Sequence, residues 1–329
     1  MQRKKCKVSI IILNWNGWKD TIECLESLFN IDYPNYEIIM VDNGSQNDSL
    51  NRIKIWAKGY KLRIFEFKKT NRAEEKYFSK KRDINSIRSN KKLIILKNDK
   101  NYGFAEGNNI AMRQVLEGKN SEYILLLNND TTVDKKFLRY LLEEYKDDVG
   151  MVGPSIYDYY NPNRVHSAGG IVSLYSTYSL TGGDTHKKAN PKRLHYLSGC
   201  CILVKTDILK MVGLFDPIYF YYVEDIDLGY RVYLSRKKIV CSKKSKLWHK
   251  EGSSVGGNIK NNFTVFYEER NRVIFIKKFG KLRHKLFFTS YHLFKIVYFF
   301  LKKYPIERKL IKSRIRGFIY GWRENVKNT

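Results

Sequence analysis

Four short apolar runs, each ending abruptly in asparagine or aspartate, constrain this chain more than any other feature. They are VSIIILNWN at 8–16, YEIIMVDNGS at 36–45, LIILKND at 93–99 and YILLLNND at 123–130. Continuous aliphatic and β-branched runs suit strands buried on both faces of a parallel sheet. Segments with helical spacing lie between them. DTIECLESLF at 20–29 sets Ile22, Leu25 and Leu28 with Phe29 on one side. Further helices are expected from Asp48 to about Lys58 and over 107–116. Strand and helix alternate four times, which predicts an α/β fold: a doubly wound, mostly parallel central sheet with helices on both faces. In such sheets ligands bind at the carboxyl ends of the strands. Asn14 and Asn16, Asp42 and Asn43, Asn98 and Asp99, and Asn128 and Asp130 are therefore expected to line one polar crevice.

The remainder is less regular. Lys68–Lys92 holds ten basic and three acidic residues without periodicity and reads as a surface insertion. Segments 157–163 and 181–191 read as loops, 194–204 as a strand pair or strand-turn, and 225–234 as a helix. From Phe263 onward, helices threaded with basic residues dominate. Residues 277–329 carry 15 lysines and arginines against two acids. Within them Leu286–Leu301 is a 16-residue apolar stretch interrupted by Lys295, shorter than the roughly 20 residues that span a bilayer. It reads as a helix that either packs on the body or lies in a membrane interface.

Composition narrows the class. A hydrophobic content of 43% over 329 residues excludes a disordered or collagen-like chain. The net charge of +28 favours polyanionic partners: nucleic acid, anionic lipid or phosphorylated substrates. Cys6, Cys24, Cys200, Cys201 and Cys241 are odd in number and lack CxxC spacing, which reads as reduced thiols in a cytosolic protein. The apolar run after the basic start MQRKKCK is too short for a signal-peptide core.

Five motifs carry candidate chemistry. In YILLLNNDTTVD, Asn and Asp after a strand are common turn formers. They also suit a hard divalent cation such as Mg²⁺ or Mn²⁺, which wants oxygen ligands and keeps positions open for phosphate. In YFYYVEDIDLGYR, Glu224, Asp225 and Asp227 crowd a helix start, where acids complement the dipole. Crowding also raises a carboxyl pKa and so makes a proton acceptor nearer neutrality. Tyr219–Tyr222 beside them would form a stacking floor for an acceptor. His249 in KLWHKEGSS is a structural histidine unless it lies beside Asp130, where it would be a metal ligand. NYGFAEGNN places Gly103 and Gly107 before a helix but does not match GxGxxG, and no Walker A sequence is present. YEERNR at 267–272 is either a solvated helix face or a phosphate clamp.

The order VSIIILNWNG, VDNGSQNDS, NYGFAEGNN, LLLNNDTTVD, LSGCCILVKTDILKMVGLFDPIYFYYVEDIDL, WHKEGSS, YEERNR resembles glycosyltransferase family 2, in particular its rhamnosyltransferase-like branch. The resemblance covers about residues 7–280. It implies a GT-A fold, an inverting hexosyltransferase, a nucleotide-sugar donor (dTDP-rhamnose or a UDP-sugar) and a saccharide acceptor, lipid-linked, in cell-surface polysaccharide synthesis. By this resemblance Asp42 matches the acid that bonds the base. Asn14, Asn16 and Asn43 line the same pocket, and Asn98 and Asn108 close over base and ribose. Asn128-Asn129-Asp130 stands where the family has Asp-x-Asp, with Asp130 and His249 as ligands of Mg²⁺ or Mn²⁺. Asp225 matches the general base, and Glu224 and Asp227 match neighbours that orient acceptor and loop. Asn128 in place of Asp removes one charge from the metal site. The expected division is a catalytic domain over 1–262, with a nucleotide-sugar half to about 135 and an acceptor half beyond it. Residues 263–329 would be a basic helical extension, peripheral on the inner face of the cell membrane at an anionic surface. Two rivals are a nucleotidyltransferase, for which no GxGxR-type loop is found, and a basic nucleic-acid-binding protein.

Overall fold

The computed structural model describes residues 6–69, 87–176, 194–250, 261–303 and 307–326. One ten-stranded sheet organises them. Its strands are β1 (Val8–Asn14), β2 (Tyr36–Asp42), β3 (Arg63–Lys69), β4 (Lys92–Asn98), β5 (Tyr123–Asn128), β6 (Thr131–Val133), β7 (Val149–Asp158), β8 (Val165–Ser167), β9 (Cys201–Lys205) and β10 (Lys238–His249). The spatial order is β3-β4-β2-β1-β5-β9-β7-β10-β6, with β8 paired to β7. The first five positions are parallel, and β9 enters antiparallel between β5 and β7.

Helices α1 (Trp18–Phe29), α2 (Ser49–Gly59) and α4 (Phe137–Glu143) cover one face. Helices α3 (Gly103–Gly118), α5 (Thr206–Val212) and α6 (Glu224–Leu234) cover the other. Successive strand residues divide between these layers. Ile10 and Ile12 pack with Leu25 and Leu28, whereas Ile11 packs with Ile110 and Leu126. This two-sided burial is what an unbroken apolar run requires.

Three helices follow the sheet: α7 (Asn262–Phe279), α8 (Leu282–Lys303) and α9 (Arg308–Arg323). A capping box starts α7, with Asn261 accepting from the Thr264 amide at 2.9 Å and Thr264 accepting from the Asn261 amide. Ile274 and Phe275 of α7 join Tyr219, Tyr230 and Val172, while Val273 and Ile276 join Phe288 and Phe318. Glu269, buried in α7, pairs with His292 of α8 at 3.0 Å and with Arg314 of α9.

The alternating core and its helices match the sequence pattern, and the differences have local causes. The expected insertion at 68–92 overlaps β3, whose RIFEFKK alternates apolar and charged residues as a sheet-edge strand does. Residues 70–86 and the expected loop at 181–191 lie outside the described residues. The segment 157–163 is a loop except for its first two residues, because β7 continues to Asp158 before its turn. The 194–204 segment forms β9 and one bridge from Gly170 to Tyr196.

One ion cluster ties α6 to α7. Asp227 is fully buried, and its carboxylate meets Arg231 at 2.6 Å and Lys278 at 2.7 Å. Lys278 also reaches Asp216 at 2.8 Å. Removing one partner of a buried pair leaves an uncompensated charge, so Lys278→Met should destabilise the fold by about 3 kcal/mol. Urea unfolding followed by circular dichroism should show this, with part recovered when Asp227→Asn is added.

Candidate active site

The strand ends meet as their registers dictate. Asn14 lies opposite Asp42, and Leu13 lies opposite Asn128. The chain winds from β1 toward β2 on one side and returns to β5 on the other, so this edge is where a ligand crevice forms.

Most of the asparagines at this edge build the loops that shape it. Asn14 donates to Asp42 at 3.0 Å and to Ser45 at 3.2 Å, and its carbonyl accepts from Thr21 and the Gly17 amide. Ser45 donates to the same Asp42 oxygen at 2.6 Å. Asn43 donates to Asn101 and to the Gly103 carbonyl, and accepts from Asn98 and the Tyr102 amide. It thereby fastens the end of β2 to the β4–α3 loop. Asn129 bonds Thr21 at 3.0 Å, and Asn108 bonds the Phe104 carbonyl within α3. Asn16 adopts a φ of 58° and its side-chain Oδ1 accepts from the Gln46 and Asn47 backbone amides. Thr21, Ser45 and Asn101 are therefore structural partners that the sequence pattern does not single out. They are short polar residues, Thr21 in the first turn of α1 and Ser45 and Asn101 in loops, without a periodic signal.

At the end of β5, Asp130 is buried with 5% exposure. Antiparallel pairing of β10 with β6 sets His249 opposite Thr131, and the Lys250 amide donates to the Asp130 carbonyl. The imidazole Nε2 lies 3.1 Å from the Asp130 carboxylate, so the proximity on which His249 depends is present. Burial opposes protonation of His249, but the adjacent Cys200 sulfur and the Asp130 carboxylate outweigh it and hold its pKa well above the ordinary value. Lys250 pins this corner to α1 through Asp20 at 2.7 Å and Glu23 at 2.5 Å.

The pair fits a divalent ion. Two ligands held about 2.1 Å from one ion at a right angle lie roughly 3 Å apart, which is the Asp130–His249 separation. Among the described residues no group of three His, Cys, Asp or Glu side chains is arranged to hold a metal. An ion here would rely on substrate oxygens for its remaining positions, as Mg²⁺ sites commonly do.

The second wall is the start of α6, where three neighbouring carboxylates sit in three environments. Asp227 points into the Arg231–Lys278 cluster, committed to structure. Asp225 is half-buried and accepts from the Gly199 amide at 2.7 Å and the Ile226 amide at 2.8 Å. Burial raises its pKa against the pull of those two donors. Glu224 is buried, its Oε2 has no partner among the described residues, and burial with the adjacent Asp225 pushes its pKa well up. Tyr219 is fully buried, so it is core and not an exposed floor, whereas Tyr222 is 38% exposed. Burial first, then Tyr222, then the carboxylates of Glu224 and Asp130, raise the pKa of the Tyr221 phenol and keep it neutral. That phenol is thus within electrostatic reach of both walls. In YEERNR, Arg270 is held by Glu324 and the Ile218 carbonyl, and Arg272 by Glu268. These arginines brace the fold, which removes the phosphate-clamp reading.

A carboxyl whose pKa is raised on folding opposes the folded state once it ionises. For Glu224 the unfolded chain loses its proton near pH 4.3 and the folded chain later, so this contribution to stability falls as pH rises through that window. Glu224→Gln should therefore raise the melting temperature at pH 8, with the gain shrinking toward pH 5. Melting curves across pH check the sign.

Residues 6–267 match the family model described as glycosyltransferase like family 2. The chain is 22% identical over 253 residues, 76% of its length, to a poly-β-1,6-N-acetyl-D-glucosamine synthase of Staphylococcus epidermidis. It is 25% identical over 132 residues, 40% of its length, to the low-salt glycan biosynthesis hexosyltransferase Agl10 of Haloferax volcanii. These matches cover 51% and 43% of the relatives, so the chain spans about half the length of the curated relatives it matches. The fold is similar to that of S. aureus TarS 1-349 in complex with UDP-GlcNAc, with TM-score 0.54 and 17% identity over 96% of this chain and 81% of that one. It is also similar to the mannosyltransferase PcManGT from Pyrobaculum calidifontis in complex with GDP-Man and Mn²⁺, with TM-score 0.58 and 11% identity over 98% of this chain and 89% of that one. GalNAc-T7 with UDP, GalNAc and Mn²⁺ gives TM-score 0.60 and 15% identity over 98% of this chain and 57% of that one. With a GT-A sheet, a crevice at its strand ends and a family match over most of its length, the chain belongs to the family 2-like glycosyltransferases.

Proposed function

We propose that this enzyme transfers a hexose from a nucleotide-sugar, dTDP-rhamnose or a UDP-sugar, to a lipid-linked saccharide with inversion at the anomeric carbon. The observation that carries this reading is the pairing of His249 with Asp130, together with a phenol, Tyr221, that lies within electrostatic reach of both Asp130 and Glu224. The similar structures that hold UDP-GlcNAc, GDP-Man or UDP support a nucleotide-bound donor, and Mn²⁺ in two of them supports a divalent ion. Asp42 and the loops tied by Asn14 and Asn43 would receive the nucleotide.

Asp225 takes the proton of an acceptor hydroxyl. The acceptor oxygen attacks the anomeric carbon on the face opposite the diphosphate, and the bond to the diphosphate oxygen breaks as the new glycosidic bond forms. Its raised pKa suits Asp225 to that transfer. Glu224, held neutral, offers a hydrogen bond beside it. Asp130 and His249 would hold Mg²⁺ or Mn²⁺, which when bound neutralises charge developing on the departing diphosphate. Asp227 acts through the helix it anchors.

Two substitutions separate these roles. Asp225→Asn should lower transfer by about 10²–10⁴-fold, the range for loss of a general base, with nucleotide binding unchanged. Asp130→Ala should weaken metal and nucleotide binding together in calorimetry. Release of pyrophosphate from a nucleoside triphosphate would favour a nucleotidyltransferase, and tight salt-sensitive oligonucleotide binding a nucleic-acid protein.

The same reading brings the acceptor on a membrane to residues 263–329. No helix among the described residues is long and apolar enough to cross one. Leu286, Phe294 and Leu301 of α8 are 61%, 71% and 75% exposed, in an arc with Val297 and Phe300. The same helical region also exposes cations: Lys281, Arg283, Lys302, Lys309, Lys312 and Arg316. Apolar side chains beside cations suit an anionic bilayer surface, where each cation contributes about 1 kcal/mol. Leu286→Ser, Phe294→Ser and Leu301→Ser together should abolish co-sedimentation with anionic vesicles at low salt and leave the melting temperature nearly unchanged.

A further inference from the structure

We propose that Asn271 is a positioning residue for Asp225, acting through a left-handed turn that its side-chain amide holds in place. The proposal rests on the reading of Asp225 as the base. Tyr222 and Val223, immediately before α6, have φ of 70° and 75°. Two consecutive side chains in this region are costly, and a β-branched valine there is a genuine outlier. Such a turn persists only where its surroundings over-determine it.

Asn271 supplies that constraint. It is fully buried in α7, and its Nδ2 donates to the carbonyls of Tyr221 and Tyr222, both at 2.8 Å. Its Oδ1 accepts from Arg270 at 2.7 Å, and the same guanidinium group bonds the Ile218 carbonyl and Glu324. The Phe104 amide donates to the Phe220 carbonyl at 2.8 Å. The carbonyls of Ile218, Phe220, Tyr221 and Tyr222 are thus fixed from outside the segment. The Val223 carbonyl then accepts from Asp227, the first hydrogen bond of α6, and Asp225 lies inside that first turn. Without the amide, residues 222–223 would relax toward negative φ. The carboxylate of Asp225 would swing away from the Gly199 amide.

The experiment measures steady-state transfer by Asn271→Ala, Asn271→Ser and Asp225→Asn, and by the asparagine variants in a Val223→Gly background. Glycine adopts positive φ without strain and needs no clamp. A displacement near 1 Å at a reacting group can cost about 10²-fold. Asn271→Ala is therefore expected to lower kcat about 10²-fold with donor KM within threefold. In the Val223→Gly background the loss should shrink to tenfold or less. A general packing defect would not be rescued in this way. Asn271→Ser keeps the test open if the alanine variant fails to fold. An unchanged kcat, or an equal loss in both backgrounds, overturns the proposal. If Asp225→Asn retains transfer, the base assignment itself falls and the clamp with it. If Asp225→Asn is inactive while Asn271→Ala is not, only the clamp falls.

Discussion

Burial of the sheet on both faces sets the terms for everything else in this molecule. Inside β1, β2, β4 and β5 the backbone satisfies itself across the sheet, and the side chains are mostly apolar because helices cover both sides. Near the strand starts Ser9 and Glu37 are buried as a hydrogen-bonded pair, and the larger polar group gathers where the strands stop. Parallel registers bring those stops to one edge, with Asn14 beside Asp42 and Asn128 one strand away. The crevice is therefore a consequence of topology before it is a consequence of any one residue.

The opposite wall follows a different logic. Glu224, Asp225 and Asp227 are chemically alike and three residues apart at most, yet their surroundings differ. Asp227 has two cations, Asp225 has two amides, and Glu224 has a carboxylate neighbour and an unpartnered oxygen. The kind of partner separates an anchored carboxylate, one held by amides and one held neutral. Differences of this kind let one short acidic motif take up several roles.

The sequence reveals these features unequally, for physical reasons. Runs such as YILLL declare a buried strand because both faces are apolar. RIFEFKK and KIVCSKKSKLWH conceal β3 and β10, because a strand with one exposed or irregular face mixes lysine into its pattern. Asn14 and Asn43 stand where a ligand crevice was expected, but a sequence cannot tell an asparagine facing a ligand from one closing a loop. His249 has meaning only across the 119 residues that separate it from Asp130, and Asn271 is hidden within a charged run that reads as solvated. The partners that decide each case are remote in the chain: Lys278 for Asp227, Gly199 for Asp225, Tyr221 and Tyr222 for Asn271.

Helix α7 faces two ways. One side carries Asn271 and Lys278 toward the acidic wall, and the other carries Glu269 toward His292 and Arg314. This limits how such enzymes can be recombined. The C-terminal helices of a relative cannot be grafted as a cassette at the end of the sheet, because the seam would divide a helix whose two faces must match different neighbours. An exchange that respects the packing would keep α7 with its own sheet, place the junction at Gly280, where the chain leaves the helix in extended conformation, and retain His292 and Arg314 opposite Glu269. Evolution faces the same restriction: α7 must change in step both with the loop it braces and with the helices that meet Glu269.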